Sequence, residues 1–167
     1  MRKFLPLIIV LAALAIAIPL LSYLRPPEGL TEGKRAPDFA LPAIDGGEIK
    51  LSGLRGQVVM LNFWSAGCGP CRAEMPYMQE VYEELRDEGL TIVAVNLDSP
   101  LIAAAFAQEY GLTFPVVTDT EYDVSLRYEV QYIPKTLILD RRGIIRFVGV
   151  GSFTSAAQLR GLLTNWL

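Results

Sequence analysis

The two cysteines of this chain, Cys68 and Cys71, stand between an apolar run and a segment with helical periodicity. The apolar run, Val58–Trp64, is typical of a central strand buried on both faces. The helical segment carries its apolar residues on one stripe, namely Met75, Met78, Val81, Tyr82 and Leu85. Gly89 ends that pattern, and a second apolar, β-branched run follows over residues 90–97. The sequence therefore predicts a strand–helix–strand unit with a parallel pair of strands.

The segments that follow predict a sheet covered by helices. Ser99, followed by proline, suits the N-cap of a second helix. Residues 136–139 and 144–150 flank a polar turn and predict a β-hairpin. Ser155 and Gln158 have the spacing of a capping box before a last helix. We therefore predict an α/β fold in which a central mixed sheet is flanked by helices.

Composition removes several classes of chemistry. The 167 residues include two cysteines and no histidine, so Ser-His-Asp triads and Cys-His dyads are excluded. Arg72 follows the second cysteine, which excludes a haem-attachment C-x-x-C-H motif. Two thiols are too few for a mononuclear structural zinc site. The 15 basic and 18 acidic residues, for a net charge of −3, also argue against nucleic acid. We expect no cofactor and no metal.

The N-terminus has the length and polarity of a membrane anchor. Residues 4–24 carry no charge, and a helix of 21 residues spans about 31 Å, close to the hydrocarbon thickness of a bilayer. Arg2 and Lys3 precede this run, which places the N-terminus in the cytoplasm and the rest outside. A cleaved signal peptide, with a small-x-small site at residues 15–17, is the alternative. We divide the chain into an anchor with a short proline linker, 1–27, and an exported domain, 28–167.

The position of the cysteines favours redox chemistry. A thiol at a helix N-terminus meets unpaired N–H donors and the positive end of the helix dipole, which stabilise the thiolate. Cys71 lies one turn inside the predicted helix, within bonding reach of Cys68. We therefore expect a redox-active Cys68–Cys71 disulfide, with Cys68 as the exposed nucleophile and Cys71 as the shielded resolving thiol. A purely structural disulfide is the alternative, but a loop this short adds little stability.

Residues 63–76 resemble the active-site segment of the thioredoxin superfamily, most closely its membrane-anchored TlpA/ResA/CcmG branch. Residues 36–41 and 51–57 resemble an N-terminal β-hairpin extension that this branch shares with the peroxiredoxins, and residues 132–140 resemble the cis-proline loop. The resemblance implies a thioredoxin-like fold and a cis Pro134 that faces the cysteines. It also implies that the backbone of Ile133 pairs with an extended substrate. The motif residues that support the active site are Trp64, Gly69 and Pro70.

The chain departs from the superfamily pattern at two positions. Asn62 stands where thioredoxin carries a buried aspartate used in proton transfer, and Gly67 stands where a tryptophan usually precedes the first cysteine. Glu74, one helical turn past Cys71, is the candidate for the proton-handling role, and the resemblance assigns a functional acid there. The alternative is a helix-start glutamate that only pairs with the helix dipole.

The resemblance implies a bacterial, single-pass membrane protein whose domain faces the extracytoplasmic side. Its activity would be protein thiol–disulfide exchange, as a reductant recharged by a membrane donor of the CcdA/DsbD type. The protein substrates would include the C-x-x-C-H thiols of apocytochrome c in cytochrome c maturation. A dithiol that handles Cu(I), or reduces a copper site during oxidase assembly, is the alternative. A thiol peroxidase is a third interpretation, which lacks a peroxiredoxin-type threonine upstream of Cys68.

Overall fold

The computed structural model describes residue 15 and residues 26–167. Five strands form one mixed sheet in the order β5-β4-β3-β6-β7, and β1 and β2 form a separate antiparallel hairpin. The strands are β1 (Ala40–Pro42), β2 (Glu48–Lys50), β3 (Val58–Trp64), β4 (Leu90–Asn96), β5 (Val116–Thr118), β6 (Lys135–Leu139) and β7 (Ile145–Val150). The helices are α1 (Gly69–Leu85), α2 (Pro100–Tyr110), α3 (Asp123–Arg127) and α4 (Ala156–Leu163).

The predicted strand–helix–strand unit is confirmed. Strands β3 and β4 pair in parallel over their full length, and every residue of both is buried. Strand β6 runs antiparallel to β3 on the other side, and β7 runs antiparallel to β6 as the predicted hairpin. Because β3, β4 and β5 are parallel, their carboxyl ends meet at one edge of the sheet.

The core lies on both faces of the sheet. One face buries Met60 and Trp64 of β3 against α1, α2 and α4. The other face buries Leu61 and Phe63 of the same strand in a cluster that also contains Tyr128. This alternation follows from the two-residue period of a strand, and it directs the side chain of Asn62 to the same face as α1.

Helix ends lie where the signals predict them, but two of the predicted caps are incomplete. Ser99 is the N-cap residue of α2, yet its side chain makes no capping hydrogen bond. Helix α1 is followed by a short 3-10 turn and by Gly89, whose φ of 103° is left-handed and favours glycine. At α4, the Oγ of Ser155 accepts from the N–H of Gln158 at 3.2 Å, as a capping box requires. The Gln158 side chain, however, accepts from the N–H of Thr154 at 2.9 Å, so only half of the predicted box forms.

The N-terminal prediction falls almost entirely outside the described residues. The proposed anchor at residues 4–24 is described only at residue 15. In the part of the chain that the structure does describe, no helix is long and apolar enough to cross a membrane. From the proline linker onward the chain is attached to the domain, because the carbonyl of Pro27 accepts from the N–H of Arg35 at 3.0 Å.

Candidate active site

Cys68 and Cys71 lie at the carboxyl end of β3, where the chain turns into α1. Cys68 is the N-cap residue, and its Sγ accepts from the N–H of Cys71 at 3.2 Å. The two residues are joined by a disulfide bond, and their Cα atoms lie 5.3 Å apart. Cys68 is partly exposed, whereas Cys71 is fully buried. A reagent from solvent therefore meets Cys68 first.

The first turn of α1 places no negative charge beside the disulfide. Gly69 and Pro70 are exposed, the proline stands in the first turn, and that turn contains no acidic residue. Proline is compatible with this position because a first-turn N–H has no partner within the helix. No acid of α1 itself therefore opposes the positive end of the helix dipole at Cys68.

The loop that leads into Cys68 is fastened to the end of β4. The carboxylate of Asp98 accepts from the Oγ of Ser65 at 2.9 Å and from the N–H of Ala66 at 2.7 Å. Gly67 completes this loop and leaves open space, since an added Cβ would meet only the Oγ of Ser65 at 3.8 Å. The site therefore lacks an aromatic side chain directly before Cys68. Sequence reasoning missed Asp98, whose role depends on two strands meeting at one edge.

The cis-proline loop faces the disulfide as the resemblance implies. The Ile133–Pro134 peptide bond is cis, and the carbonyl oxygen of Ile133 lies 3.8 Å from the Sγ of Cys68. The loop is supported from inside by Lys135, which is only 9% exposed. Its ammonium donates to the carbonyl oxygens of Tyr128 at 2.8 Å and Glu129 at 3.0 Å. Burial lowers the pKa of Lys135, and this residue was not predicted from the sequence.

Glu74 is fully buried on the inner face of α1. Its Oε1 accepts from the Nδ2 of Asn62 at 2.9 Å, and its Oε2 accepts from the N–H of Phe153 at 3.0 Å. Burial raises the pKa of this carboxyl, and the two hydrogen bonds oppose the rise. The helix-start alternative is wrong, because Glu74 lies beyond the first turn and bonds to residues of other elements.

Aromatic side chains surround the base of the site. Trp64 is fully buried and packs on Phe106, with ring centroids 4.6 Å apart. Arg72, the residue after Cys71, lies over Phe106 and Tyr110 at 5.4 Å from each centroid and donates to the carbonyl of Ala66 at 3.4 Å. Met75 and Met78 are fully buried in the core, as their helical spacing predicts.

Comparisons with known proteins agree with this geometry. The matching family model is described as the AhpC/TSA family and covers residues 33–148. The chain is 38% identical over 149 residues to thiol-disulfide oxidoreductase ResA of Geobacillus kaustophilus, across 89% of this chain and 85% of that protein. It is 40% identical over 130 residues to thiol-disulfide oxidoreductase ResA of Bacillus subtilis, across 77% of this chain and 73% of that protein. A solved structure from Chlorobium tepidum, named as thiol:disulfide interchange protein DsbE, superposes with a TM-score of 0.73 and 35% identity, across 80% and 97% of the two chains.

Proposed function

Because the chain belongs to the AhpC/TSA family and is a thiol–disulfide oxidoreductase, we propose that it acts as a membrane-tethered reductant of protein disulfides outside the cytoplasm. The observation that carries this proposal is the pairing of a partly exposed Cys68 with a fully buried Cys71, one helical turn before a buried acid. An outer thiol that meets substrate and an inner thiol that resolves it are what disulfide exchange requires.

The reaction begins with both cysteines reduced. The Cys68 thiolate, stabilised by the N-terminus of α1, attacks one sulfur of the client disulfide, and the other client sulfur leaves as a thiolate that takes a proton. Cys71 then gives its proton to the Glu74 carboxylate and attacks the Sγ of Cys68. The mixed disulfide breaks, the second client sulfur leaves as a thiolate that takes a proton from water, and Cys68 and Cys71 form the disulfide. Glu74 keeps the proton from Cys71 until a donor reduces the disulfide, and it then returns that proton to the Cys71 thiolate. The client has gained two electrons and this chain has lost two.

The backbone at Ile133 orients the client in this step. Its carbonyl oxygen lies beside the Sγ of Cys68, so an extended client segment that pairs with it brings a disulfide to the nucleophile. Pro134 has no N–H that could donate to the Cys68 thiolate and weaken its attack. Peptide backbone, rather than one particular side chain, is therefore the feature that this part of the site recognises.

The proposal also names a membrane tether, an electron donor and a client protein. Residues 4–24 support a tether by their length and lack of charge. The Gly69-Pro70 dipeptide is that of reducing thioredoxins, so the disulfide needs a source of electrons, which we assign to a membrane protein of the CcdA/DsbD type. We assign apocytochrome c, through its C-x-x-C-H thiols, as the client on the resemblance of residues 63–76 to the TlpA/ResA/CcmG branch. The relatives themselves are named as thiol-disulfide oxidoreductases.

Trapping in membranes tests the proposal. Cys71→Ser retains the attacking thiol but has no resolving thiol, so it should accumulate mixed disulfides with clients. The matched control, Cys68→Ser, keeps the same number of thiols and should trap nothing. We expect the captured proteins to contain C-x-x-C-H segments. Capture of copper-site assembly proteins would replace the client proposed here, and capture by Cys68→Ser would reverse the roles of the two cysteines.

A further inference from the structure

The amide of Asn62 faces Glu74 with its donor side only. Asn62 is fully buried in β3. Its Nδ2 donates to the Oε1 of Glu74 at 2.9 Å and to the Oγ1 of Thr136 at 3.0 Å. Its Oδ1 is also buried, and it has no hydrogen-bond partner among the described residues. This arrangement suits an ionised Glu74, because a carboxylate only accepts hydrogen bonds.

A proton on Glu74 changes which of its oxygens can accept. Its Oε2 receives the backbone N–H of Phe153 at 3.0 Å, and a backbone N–H is a donor in every state of the molecule. The proton taken up by Glu74 therefore resides on Oε1, which faces Asn62. With the amide as it stands, the Nδ2 of Asn62 would then face a hydroxyl oxygen, which is a weaker acceptor than a carboxylate, and the new O–H would find no acceptor on Asn62. At a buried site an unmade hydrogen bond costs about 1–3 kcal/mol.

We propose that Asn62 is a positioning residue whose amide makes a half-turn about the Cβ–Cγ bond when Glu74 is protonated. Its Oδ1 then accepts from Glu74, and the Thr136 hydroxyl, which can donate as well as accept, donates to the same oxygen. The half-turn exchanges an unpartnered Oδ1 for an unpartnered NH2 group, and in return the Glu74 O–H and the Thr136 hydroxyl both gain an acceptor. The proton on Glu74 is therefore what favours the second orientation.

The inference rests on the proposed function, in which Glu74 takes the Cys71 proton in every cycle. A carboxyl that keeps its partners in both states stays at one position while it gains and loses that proton. Burial raises the pKa of Glu74, and the Asn62 hydrogen bond opposes that rise because it favours the ionised form, which is the form that can accept a proton. Asn62 thus tunes the acid that replaces the aspartate of thioredoxin.

The charged groups on the elements packed around Glu74 make their contacts elsewhere. Glu80 and Glu84 of α1 pair with Arg160 of α4, and Glu83 of α1 accepts a hydrogen bond from Gln79. Arg146 of β7 pairs with Asp140. The lysine of β6 binds carbonyl oxygens on the other face of the sheet. The groups in question are Arg72, Glu80, Glu83 and Glu84 on α1, Lys135 on β6, Arg146 on β7 and Arg160 on α4. Asn62 is therefore the side chain that responds directly to the charge of Glu74.

Nuclear magnetic resonance of the full chain in detergent micelles, with the disulfide intact, tests the half-turn without any client. The Glu74 carboxyl carbon gives the midpoint of its titration. We expect the Asn62 side-chain NH2 signals to shift with the same midpoint, and the Overhauser contacts of these protons to the Thr136 side chain to disappear below it. Glu74→Gln, whose amide nitrogen donates towards Asn62 while its oxygen accepts from Phe153, should remove this pH dependence.

A second comparison measures how far the Asn62 hydrogen bond shifts the titration midpoint of Glu74. Asn62→Leu removes the hydrogen bond to the carboxylate and should move the Glu74 midpoint upward by about one pH unit, whereas Thr136→Ser, which keeps the hydroxyl, should leave it unchanged. A Glu74 signal that titrates while Asn62 keeps the same contacts overturns this proposal alone. A Cys71→Ser variant that traps no client overturns the proposed function and leaves the NMR result standing.

Discussion

The backbone N–H of Cys71 donates to the Sγ of Cys68 over 3.2 Å, so the outer sulfur lies against the unpaired N–H groups at the start of α1. In the reduced protein these donors stabilise a negative charge on Cys68 and not on the deeper sulfur.

From this relationship we predict that a small alkylating agent labels Cys68 selectively near neutral pH. Cys71 is fully buried, where desolvation disfavours its thiolate and shields it from the reagent. Brief treatment of the reduced protein, followed by mass spectrometry of its peptides, gives the ratio of the two labels. We expect at least about ten times more label on Cys68, which is the factor for 1.4 kcal/mol of differential stabilisation. A label found mainly on Cys71 would contradict the assigned roles.

The buried Glu74 predicts how stability depends on pH. Burial raises its pKa above the ordinary value of 4.5, so the folded state binds this proton more tightly than the unfolded state. Its contribution to stability is therefore complete below pH 4.5 and is lost as pH rises through the raised pKa, at about 1.4 kcal/mol for each unit of the shift. Urea unfolding of the oxidised protein and of Glu74→Gln between pH 4 and pH 8 should show a difference that changes across this window. Parallel stability curves would show that Glu74 titrates normally.

The hydrogen bonds of Asp98, just after β4, lead us to predict that this side chain fixes the loop before Cys68 and so supports the reactivity of that thiol. Asp98→Ala removes the acceptor for Ser65 and Ala66 and should cost about 1–3 kcal/mol in the free energy of unfolding. It should also slow the reaction of Cys68, because the loop before it is no longer fixed. Ser99→Ala is the matched control, since Ser99 is exposed and its side chain caps no helix N–H. Equal alkylation rates in the two variants would show that Asp98 has no influence on the loop.

Local pattern in the sequence predicts the parts of this site that neighbour one another in the chain. The apolar run of β3 and the helical stripe of α1 place both cysteines correctly, because strand and helix periods are visible within a few residues. The elements β5 and α3 were not predicted, since three-residue and five-residue elements carry too few residues to show a period.

The missed functional contacts join residues far apart in the chain. Asn62 was interpreted as the loss of an acid, whereas it binds the acid that replaces it, twelve residues away. The second partner of Glu74, Phe153, is 79 residues away and contributes only a backbone N–H, which no residue type reveals. Lys135 is a charged residue inside a buried strand, and only the fold shows the carbonyl oxygens that it binds.

Lys135 predicts that the cis-proline loop depends on a buried charge. Lys135→Met keeps the length of the side chain and removes its donors to Tyr128 and Glu129. We expect a loss of about 2–4 kcal/mol, because two carbonyl oxygens lose charged partners. Faster amide hydrogen exchange over residues 128–133 should accompany it. Lys50→Met, at an exposed lysine 4.0 Å from Asp38, is the control and should change stability by less than about 1 kcal/mol.

The open space at Gly67 leads us to predict that a bulky side chain there would hinder protein substrates more than small reagents. An added Cβ meets only the Oγ of Ser65, at 3.8 Å, and the position is exposed, so Gly67→Trp should change the free energy of unfolding by no more than about 0.5 kcal/mol. The indole would restore an aromatic side chain directly before Cys68 and narrow the approach to its sulfur. We therefore expect nearly unchanged alkylation by a small reagent but slower reduction of a folded protein disulfide. Gly67→Ala, which adds only the Cβ, is the control and should reduce both substrates at the original rates. Equal rates of protein reduction in Gly67→Trp and Gly67→Ala would mean that clients reach Cys68 from the side of Ile133 alone.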